Sequence, residues 1–180
     1  MRNINFICCI SAKHKSPEYK EVLRCIREDI CDISDIWPNV SWNAPIEYQI
    51  EMGQNLETQI IILKNAFTVL DFVKIKTNLM DMEVKYSMNN NRLFNLNPGF
   101  IDGEGMFLIT HKPNFERGRT FIGGGLWMEQ QYIILNNQLS YCNNTFSEYL
   151  NKKRLKQFNK LFPKVILTAK KAETAIGASS

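Results

Sequence analysis

Several features that would assign a protein class directly are missing from this chain of 180 residues. It has no run of about 18 apolar residues, so we predict no membrane-spanning helix. The apolar start, residues 1–10, is too short for a signal peptide and is followed by no small-residue cleavage site, so it is interpreted as a buried strand. No phosphate-binding loop, nucleophile elbow or His-Glu-x-x-His motif occurs, which excludes the enzyme classes that those motifs define.

Metal-binding and disulfide patterns are also missing. The five cysteines are odd in number and form no Cys-x-x-Cys pair, and only two histidines are present. This usage favours free thiols that pack as small apolar side chains in a reducing compartment. We therefore predict a cytoplasmic protein without a metal site, and nothing in the sequence identifies a cofactor. The cysteines are Cys8, Cys9, Cys25, Cys31 and Cys142.

The apolar periodicity predicts an α+β protein. A hydrophobic content of 44% and a charged content of 22% are those of an ordinary folded domain, which excludes a disordered chain and a coiled-coil rod. Short turns between strands in the second half favour a mainly antiparallel or mixed twisted sheet, with about three helices packed on it. Helices are predicted over residues 17–34, 69–87 and 145–162, and strands over residues 3–11, 46–52, 58–67, 93–96, 106–110, 120–122, 126–135 and 139–142.

Local signals support several of these boundaries. Ser16 and Pro17 suit the start of the first helix. Residues 145–148 form a capping box that predicts the start of the third helix. Residues 97–99 and 136–137 predict turns, and the glycines at 123–125 predict a bulge or a tight turn. The predicted apolar stripe of the second helix consists of Leu70, Val73, Thr77, Met80 and Val84.

Positive charge is concentrated near the C-terminus. The net charge is +4, but eight basic residues and no acidic residue lie between Lys152 and Lys171, so the rest of the chain carries −4. We predict one globular domain over residues 1–162, with residues 163–180 as a tail or a short extra helix. The basic segment suits nucleic-acid binding through Lys152, Lys153, Lys156 and Lys160, and it also suits a solvated helix face.

Polar side chains collect around predicted strand ends and on one helix face. The second helix has a polar face, because Lys74, Thr77, Asn78 and Asp81 lie at helical spacing. Carboxylates and imidazoles suit acid–base chemistry, Arg and Lys suit phosphate oxygens, and Asn suits a base or sugar edge. The catalytic candidates are Glu51, His111 and Glu129, and the ligand-binding candidates are Tyr48, Lys74, Thr77, Asn78, Arg92, Asn95, Asn97, Lys112 and Arg119.

Each candidate also has a purely structural interpretation. The face that starts at Lys74 could be solvated, and Arg92 could form a cross-strand pair with Glu129. His111 could be a loop histidine, and Tyr48 could serve packing alone. A carboxylate in an apolar strand, as at Glu129, is either on the solvated face or buried with a basic partner.

The order of several motifs resembles a known family. Glu47-Tyr48-x-x-Glu51-Met52-Gly53 is followed by Lys74-x-x-Thr77-Asn78, by Arg92-x-x-Asn95-x-Asn97-Pro98-Gly99-Phe100, by Thr110-x-Lys112, by Arg119 and by Glu129. Over roughly residues 3–160 this is similar to an uncharacterised prokaryotic family, the domain-of-unknown-function family four-four-one-six. The resemblance implies that these residues form a site, and it implies no particular reaction.

The chain departs from the family pattern at four places. Asp81 stands where the family has a glutamate, Asn97 where it has an aspartate and Gly118 where it has a histidine. Residues 140–143 replace a Trp-Thr-Tyr-Pro block. If the family is catalytic, the loss of a carboxylate and a histidine would suit a member that only binds.

Three functional hypotheses follow. The first is a protein that binds, or binds and modifies, a small phosphorylated or nucleotide-like anion in a polar pocket. The second is a nucleic-acid or protein-partner-binding module that acts through the basic C-terminal helix. The third is an interaction protein that pairs through exposed sheet edges, and the oligomeric state is left open.

Overall fold

An antiparallel sheet lies at the centre of this computed structural model, which describes residues 3–89, 91–111, 119–143 and 145–163. Its strands are β1 (Ile4–Ser11), β2 (Ile33–Ile36), β3 (Val40–Ser41), β4 (Glu57–Leu63), β7 (Asn95–Ile101), β8 (Gly105–Thr110), β9 (Arg119–Gly123), β10 (Leu126–Leu135) and β11 (Gln138–Tyr141). The main order is β11-β10-β8-β7-β1-β4-β2, while β3 also pairs with β4 and β9 with β10. A separate hairpin pairs β5 (Ser87–Met88) with β6 (Asn91–Arg92).

The predicted α+β fold with a mostly antiparallel sheet is confirmed. Each pair of described strands is antiparallel. The described residues contain four helices rather than about three: α1 (Pro17–Asp29), α2 (Ile46–Met52), α3 (Asp71–Lys85) and α4 (152–163). None of them is long and apolar enough to cross a membrane. The predicted tail beyond residue 163 lies outside the described residues.

The two faces of the sheet carry separate apolar cores. Successive strand residues point to opposite faces, so β1 serves both. Ile7 and Cys9 join the core under α1 and α3. Phe6 and Cys8 join the core on the other face, which we call the cavity face and which is covered by residues 37–44 and α4.

Helix α1 begins where the sequence predicts and ends earlier. The Ser16 hydroxyl accepts a hydrogen bond from the Tyr19 backbone N–H at 3.2 Å, which satisfies a donor of the first turn. The helix ends at Asp29, and Ile33–Ile36 instead pairs with β4. The prediction of a helix to residue 34 was wrong there, because isoleucines at 30 and 33 satisfy a helical stripe and a short edge strand equally well.

Residues 46–52 form helix α2, so the predicted strand was wrong. The Pro45 carbonyl accepts hydrogen bonds from the N–H groups of Tyr48 and Gln49, which starts the turn. The helix ends at Gly53, whose φ of 91° suits glycine. The apparent alternation misled the prediction, because Ile46 and Ile50 are 61% and 73% exposed.

Helix α3 buries a different face from the predicted stripe. Its buried residues are Phe72, Ile75, Lys76, Leu79, Met82 and Glu83. The predicted stripe includes Leu70 and Val84, which are 76% and 73% exposed. Two charged residues interrupt the true apolar face, and an apolar pattern therefore indicated the neighbouring face instead.

The predicted turn at residues 97–99 lies inside β7. Pro98 pairs with Ile7 of β1, and the pairing of β7 with β8 begins one residue later, at Gly99. A proline, which lacks an N–H, is tolerated where one ladder has stopped. A side chain at position 99 would meet the Phe6 ring and the Phe107 carbonyl at 2.5 Å, so glycine is required by packing rather than by a turn.

Two other turn predictions are confirmed. The β10–β11 hairpin turns at Asn136 and Asn137, whose φ values are 53° and 59°. Positive φ at both central positions suits the twist of a two-residue hairpin, and asparagine tolerates it. The glycines at 123–125 form the tight β9–β10 turn, all with positive φ.

Helix α4 begins at residue 152, so the predicted start at residue 145 was wrong. Asn151 is the N-cap, because its Oδ1 accepts from the backbone N–H groups of Lys153 at 2.9 Å and Arg154 at 3.3 Å. The Thr145 hydroxyl instead contacts the Gln131 carbonyl at 2.6 Å and accepts from the Cys142 N–H at 3.0 Å. It therefore ties the following turn to the sheet.

Candidate functional site

A cavity lies where β7 and β8 separate on the cavity face. The ladder between them joins Gly99–Ile101 to Met106–Leu108, while β7 starts at Asn95 and β8 continues to Thr110. The separated ends of β7 and β8 form one wall of a cavity of about 520 Å³. This volume is in the range of small-ligand sites.

The lining combines aromatic rings, amides and hydroxyls. Residues before and within α2 form one side, the ends of β7 and β8 form the second, and the turn before α4 forms the third. The ring centroids of Trp42 and Tyr48 lie 5.1 Å apart with an edge-to-face angle of 71°. The lining residues are Trp42, Pro45, Tyr48, Asn95, Asn97, Leu108, Ile109, Thr110, His111, Thr145, Phe146, Ser147, Glu148 and Leu150.

A buried ion pair occupies the place where the β7–β8 ladder stops. Lys76 and Glu83 extend from α3 and are 0% and 4% exposed. Lys76 Nζ donates to the Leu96 carbonyl at 2.7 Å, and Glu83 Oε1 accepts from the Leu96 N–H at 2.7 Å. These side chains therefore satisfy backbone groups of β7 beyond its pairing with β8.

Lys76 also connects this ion pair to the cavity. Its Nζ lies 3.4 Å from Glu83 Oε1 and donates to Asn97 Oδ1 at 3.2 Å. Asn97 in turn donates from Nδ2 to Asn95 Oδ1 at 3.3 Å. Both asparagines line the cavity, so an ammonium group lies directly behind its amide wall.

Arg92 joins two of the sequence motifs, the one that contains Glu51-Met52-Gly53 and the one that begins at Arg92 itself. Its Nε and Nη2 donate to the two carboxylate oxygens of Glu51, the second at 2.8 Å, and its Nη1 donates to Glu83 Oε2 at 3.1 Å. The fork of two parallel bonds fixes α2 against β6. The hydrogen bonds with Glu51 raise the pKa of Arg92, which stays charged.

The predicted candidates divide between this cavity and its surroundings. Tyr48, Asn95, Asn97 and His111 line the cavity. Glu51 and Arg92 pair with each other in a neighbouring surface depression. Arg92 contacts Glu51 and Glu83, so the cross-strand pair with Glu129 was wrong.

The remaining candidates are not brought to the described lining. Lys74 and Thr77 are exposed on α3, where the Thr77 hydroxyl donates to the Val73 carbonyl at 2.9 Å, and Asn78 is half-buried on the same helix. Glu129 is 1% exposed on β10, where it lies opposite Leu108 on one side and Arg119 on the other. Its burial rules out the solvated interpretation. Lys112 lies outside the described residues.

Sequence reasoning missed the pair that supports the amide wall. Lys76 and Glu83 are seven residues apart, two helical turns, within the stripe of Phe72, Ile75 and Leu79. Two opposite charges at that spacing inside an apolar face were the available signal, since buried charges are retained in pairs. Trp42, Ser147 and Glu148 were also missed, because they come from segments far apart in sequence.

The thiol behind Asn97 in the sheet does not supply a nucleophile. Cys8 lies opposite Asn97 in the β1–β7 ladder and is 1% exposed. Burial raises its pKa to about 12, so it stays protonated at neutral pH. Within the described ranges no group of three His, Cys, Asp or Glu residues is arranged to hold a metal ion.

Comparison with known proteins identifies the family. The model of a family described as Domain of unknown function (DUF4416) matches residues 2–163. No curated protein and no solved structure gives a match. Because the match covers most of the chain, the protein belongs to the DUF4416 family.

Proposed function

We propose that this protein binds a small nucleotide-like ligand in the cavity between β7, β8 and α2. The observation that carries the proposal is the cavity itself, whose lining places Trp42, Tyr48 and His111 beside two asparagine amides. Aromatic rings suit a flat heterocycle, and amides suit its hydrogen-bonding edge. The proposal concerns binding, and we assign no reaction to the site.

The position of Lys76 supports an acceptor-rich ligand. A hydrogen bond from the ammonium group to Asn97 Oδ1 draws electron density from that amide and makes its N–H groups stronger donors. Glu148 is the carboxylate of the described lining, and His111 is its imidazole. We propose that these two groups, rather than Glu51 or Glu129, contact a bound molecule.

The test is a binding screen with three kinds of probe: nucleosides, nucleoside monophosphates and ribose 5-phosphate. Thermal shift would find a hit, and calorimetry would measure its Kd. We expect a nucleoside monophosphate to raise Tm, and Asn95→Ala to weaken its binding about tenfold, because a buried hydrogen bond is lost. Asn143→Ala, at an exposed position outside the lining, is the matched control.

Two results would contradict this proposal. One is a failure of every probe to shift Tm. The other is Asn95→Ala protein that binds the hit as tightly as wild type does, which would place the ligand elsewhere.

We propose nucleic-acid binding through α4 as a second candidate. Lys152, Lys153, Lys156 and Lys160 are exposed, and helical geometry places them within about 100° of arc. Such a face suits a phosphate backbone. RNA retention at low salt that is lost in a Lys156→Glu, Lys160→Glu variant would support it, while identical retention by that variant would contradict it.

The proposed compartment is the cytoplasm. All five cysteines are free, and four of them are buried. Free thiols persist in a reducing environment, which supports the proposal. Fractionation of cells that produce the full chain would test it.

A further inference from the structure

The orientation of two cavity amides is determined by a neighbouring charge. An asparagine side chain can present its oxygen or its nitrogen in a given direction, and the surrounding hydrogen bonds decide which. A lysine ammonium only donates. Because Lys76 Nζ lies 3.2 Å from the Asn97 side chain, the amide oxygen of Asn97 must face it.

Lys76 is itself held in one position. It is 0% exposed and donates to the Leu96 carbonyl at 2.7 Å. Glu83, which attracts it from 3.4 Å, is fixed by the Leu96 N–H and by Arg92. These contacts hold the ammonium beside Asn97, and the Asn97 amide cannot turn over without placing its N–H groups against a cation.

The same constraint passes to the second asparagine. With its oxygen on Lys76, Asn97 presents Nδ2, which donates to Asn95 Oδ1 at 3.3 Å. Asn95 must then present its own Nδ2 on its other side. Among the described residues, several buried polar atoms lack a hydrogen-bond partner, and Asn95 Nδ2 is not one of them. Because Asn95 lines the cavity, its N–H groups are open to the cavity.

We infer that Asn95 and Asn97 form a wall that only donates hydrogen bonds, and that this wall selects ligands with adjacent acceptor atoms. The inference rests on the proposed function and adds the chemical class of the ligand edge. A 6-oxopurine presents two neighbouring acceptors, O6 and N7, whereas a 6-aminopurine presents a donor beside N7. The wall therefore selects the 6-oxopurine.

Inosine and adenosine 5′-monophosphates test this selection as a matched pair. They share the ribose, the phosphate and the ring size, and they differ at position 6 and at the neighbouring N1, which carries a hydrogen only in the 6-oxopurine. Calorimetry with the full chain should show inosine monophosphate bound about tenfold more tightly, because a donor that faces a donor loses a hydrogen bond and leaves two groups unsatisfied.

Asn97→Asp provides the decisive variant. The new carboxylate keeps the contact with Lys76, so folding is retained, and its second oxygen takes the place of Nδ2. Asn95 must then turn its N–H groups towards that oxygen and its own oxygen towards the cavity. The wall becomes an acceptor, and the preference should reverse in favour of adenosine monophosphate.

A charge control separates this reversal from simple repulsion of the phosphate. Asn137→Asp makes the same change in charge at the exposed β10–β11 turn. Its ratio of the two Kd values should equal that of wild type. The added negative charge in either variant acts on both probes alike, so the ratio reports the orientation of the amides.

The possible results are distinct. A preference for inosine monophosphate that reverses in Asn97→Asp supports the inference. Binding of both nucleotides with equal affinity, or a preference that persists in Asn97→Asp, overturns the inference and leaves the proposed function standing. Failure of both nucleotides to bind wild type overturns the inference, and the proposed function falls with it if the other probes of the screen also fail to bind.

Discussion

Two cations are buried on opposite sides of the central sheet, and they are stabilised differently. Lys76 extends from α3, is 0% exposed and has a carboxylate, Glu83, at 3.4 Å. Arg154 lies on α4, is 1% exposed, and its described hydrogen bonds go to neutral oxygens. These oxygens are the Thr58 carbonyl at 2.7 Å, the Thr58 hydroxyl at 3.1 Å and Gln157 Oε1 at 2.9 Å.

The difference teaches what each cation does. A guanidinium spreads its charge over a planar group and is weakly hydrated, so neutral oxygens can replace water around it. An ammonium is compact and strongly hydrated, so its burial is costly without a carboxylate. Arg154 therefore serves to anchor α4 to β4, whereas the Lys76 pair brings a charge to the edge of the cavity.

The largest effect is expected from Glu83→Gln. The change keeps the shape of the side chain and removes the carboxylate beside the buried Lys76. We expect the free energy of unfolding in urea to fall by about 3–5 kcal/mol, as for other buried pairs that lose one charge. The double variant Glu83→Gln, Lys76→Met should recover part of this loss. A loss below about 1 kcal/mol would show that neutral oxygens suffice for Lys76 too, which would break the comparison.

A smaller effect is expected from Arg154→Met. The stem keeps its apolar packing, no carboxylate is deprived of its partner, and the Thr58 carbonyl loses a donor. We expect a loss of about 1–3 kcal/mol in the same urea experiment. Lys156→Met, at an exposed position of the same helix, should stay within about 0.5 kcal/mol of wild type. A loss for Arg154→Met larger than that for Glu83→Gln would reverse the expected order of the two variants.

The smallest effect is a pH dependence near Arg154. His14 is 8% exposed, and burial lowers its pKa from the ordinary 6.5, with the Arg154 charge acting in the same direction. Below pH 6.5 the unfolded chain therefore binds more protons at this site than the folded protein. Its contribution to stability is complete above pH 6.5 and is lost as the pH falls towards the lowered folded value.

Urea unfolding at several pH values would measure this contribution. His14→Gln should flatten the decline of wild-type stability in the window below pH 6.5, because glutamine takes up no proton. The carboxylate of Glu57, 3.9 Å from His14 Nδ1, opposes the shift, so a Glu57→Gln variant should steepen the decline. If the wild-type and His14→Gln profiles were parallel throughout that window, the burial of His14 would have no titration consequence.

Much of the sheet could be predicted because its strands carry local signals. β1 is a mostly apolar run, β10 is apolar at both ends, and asparagines with positive φ mark the hairpin after β10. The glycine turn before β10 is equally local. Such signals depend on backbone preferences that neighbouring residues already define, so they can be recognised in the sequence without knowledge of the fold.

The errors arose where long-range contacts override local pattern. Pro98 and Gly99 are typical of a turn, but Gly99 lies within β7 because the Phe6 ring packs against its backbone. Thr145 begins a capping box, but its hydroxyl is used by β10 and Cys142, and Asn151 caps α4 instead. Each residue type was compatible with both outcomes, and the choice was made by a partner distant in sequence.

The amino-acid sequence by itself determined the fold class, the family and most of the strands, because these follow from periodicity, turn chemistry and the order of motifs. Only the tertiary structure decided which charges are buried and where the cavity lies. In the sequence Lys76 and Glu83 resemble ordinary helix residues. In the structure they satisfy the backbone groups of β7 that lie beyond its pairing with β8. The cavity exists because that ladder stops, and pairing across a sheet is a property of segments that only folding brings together.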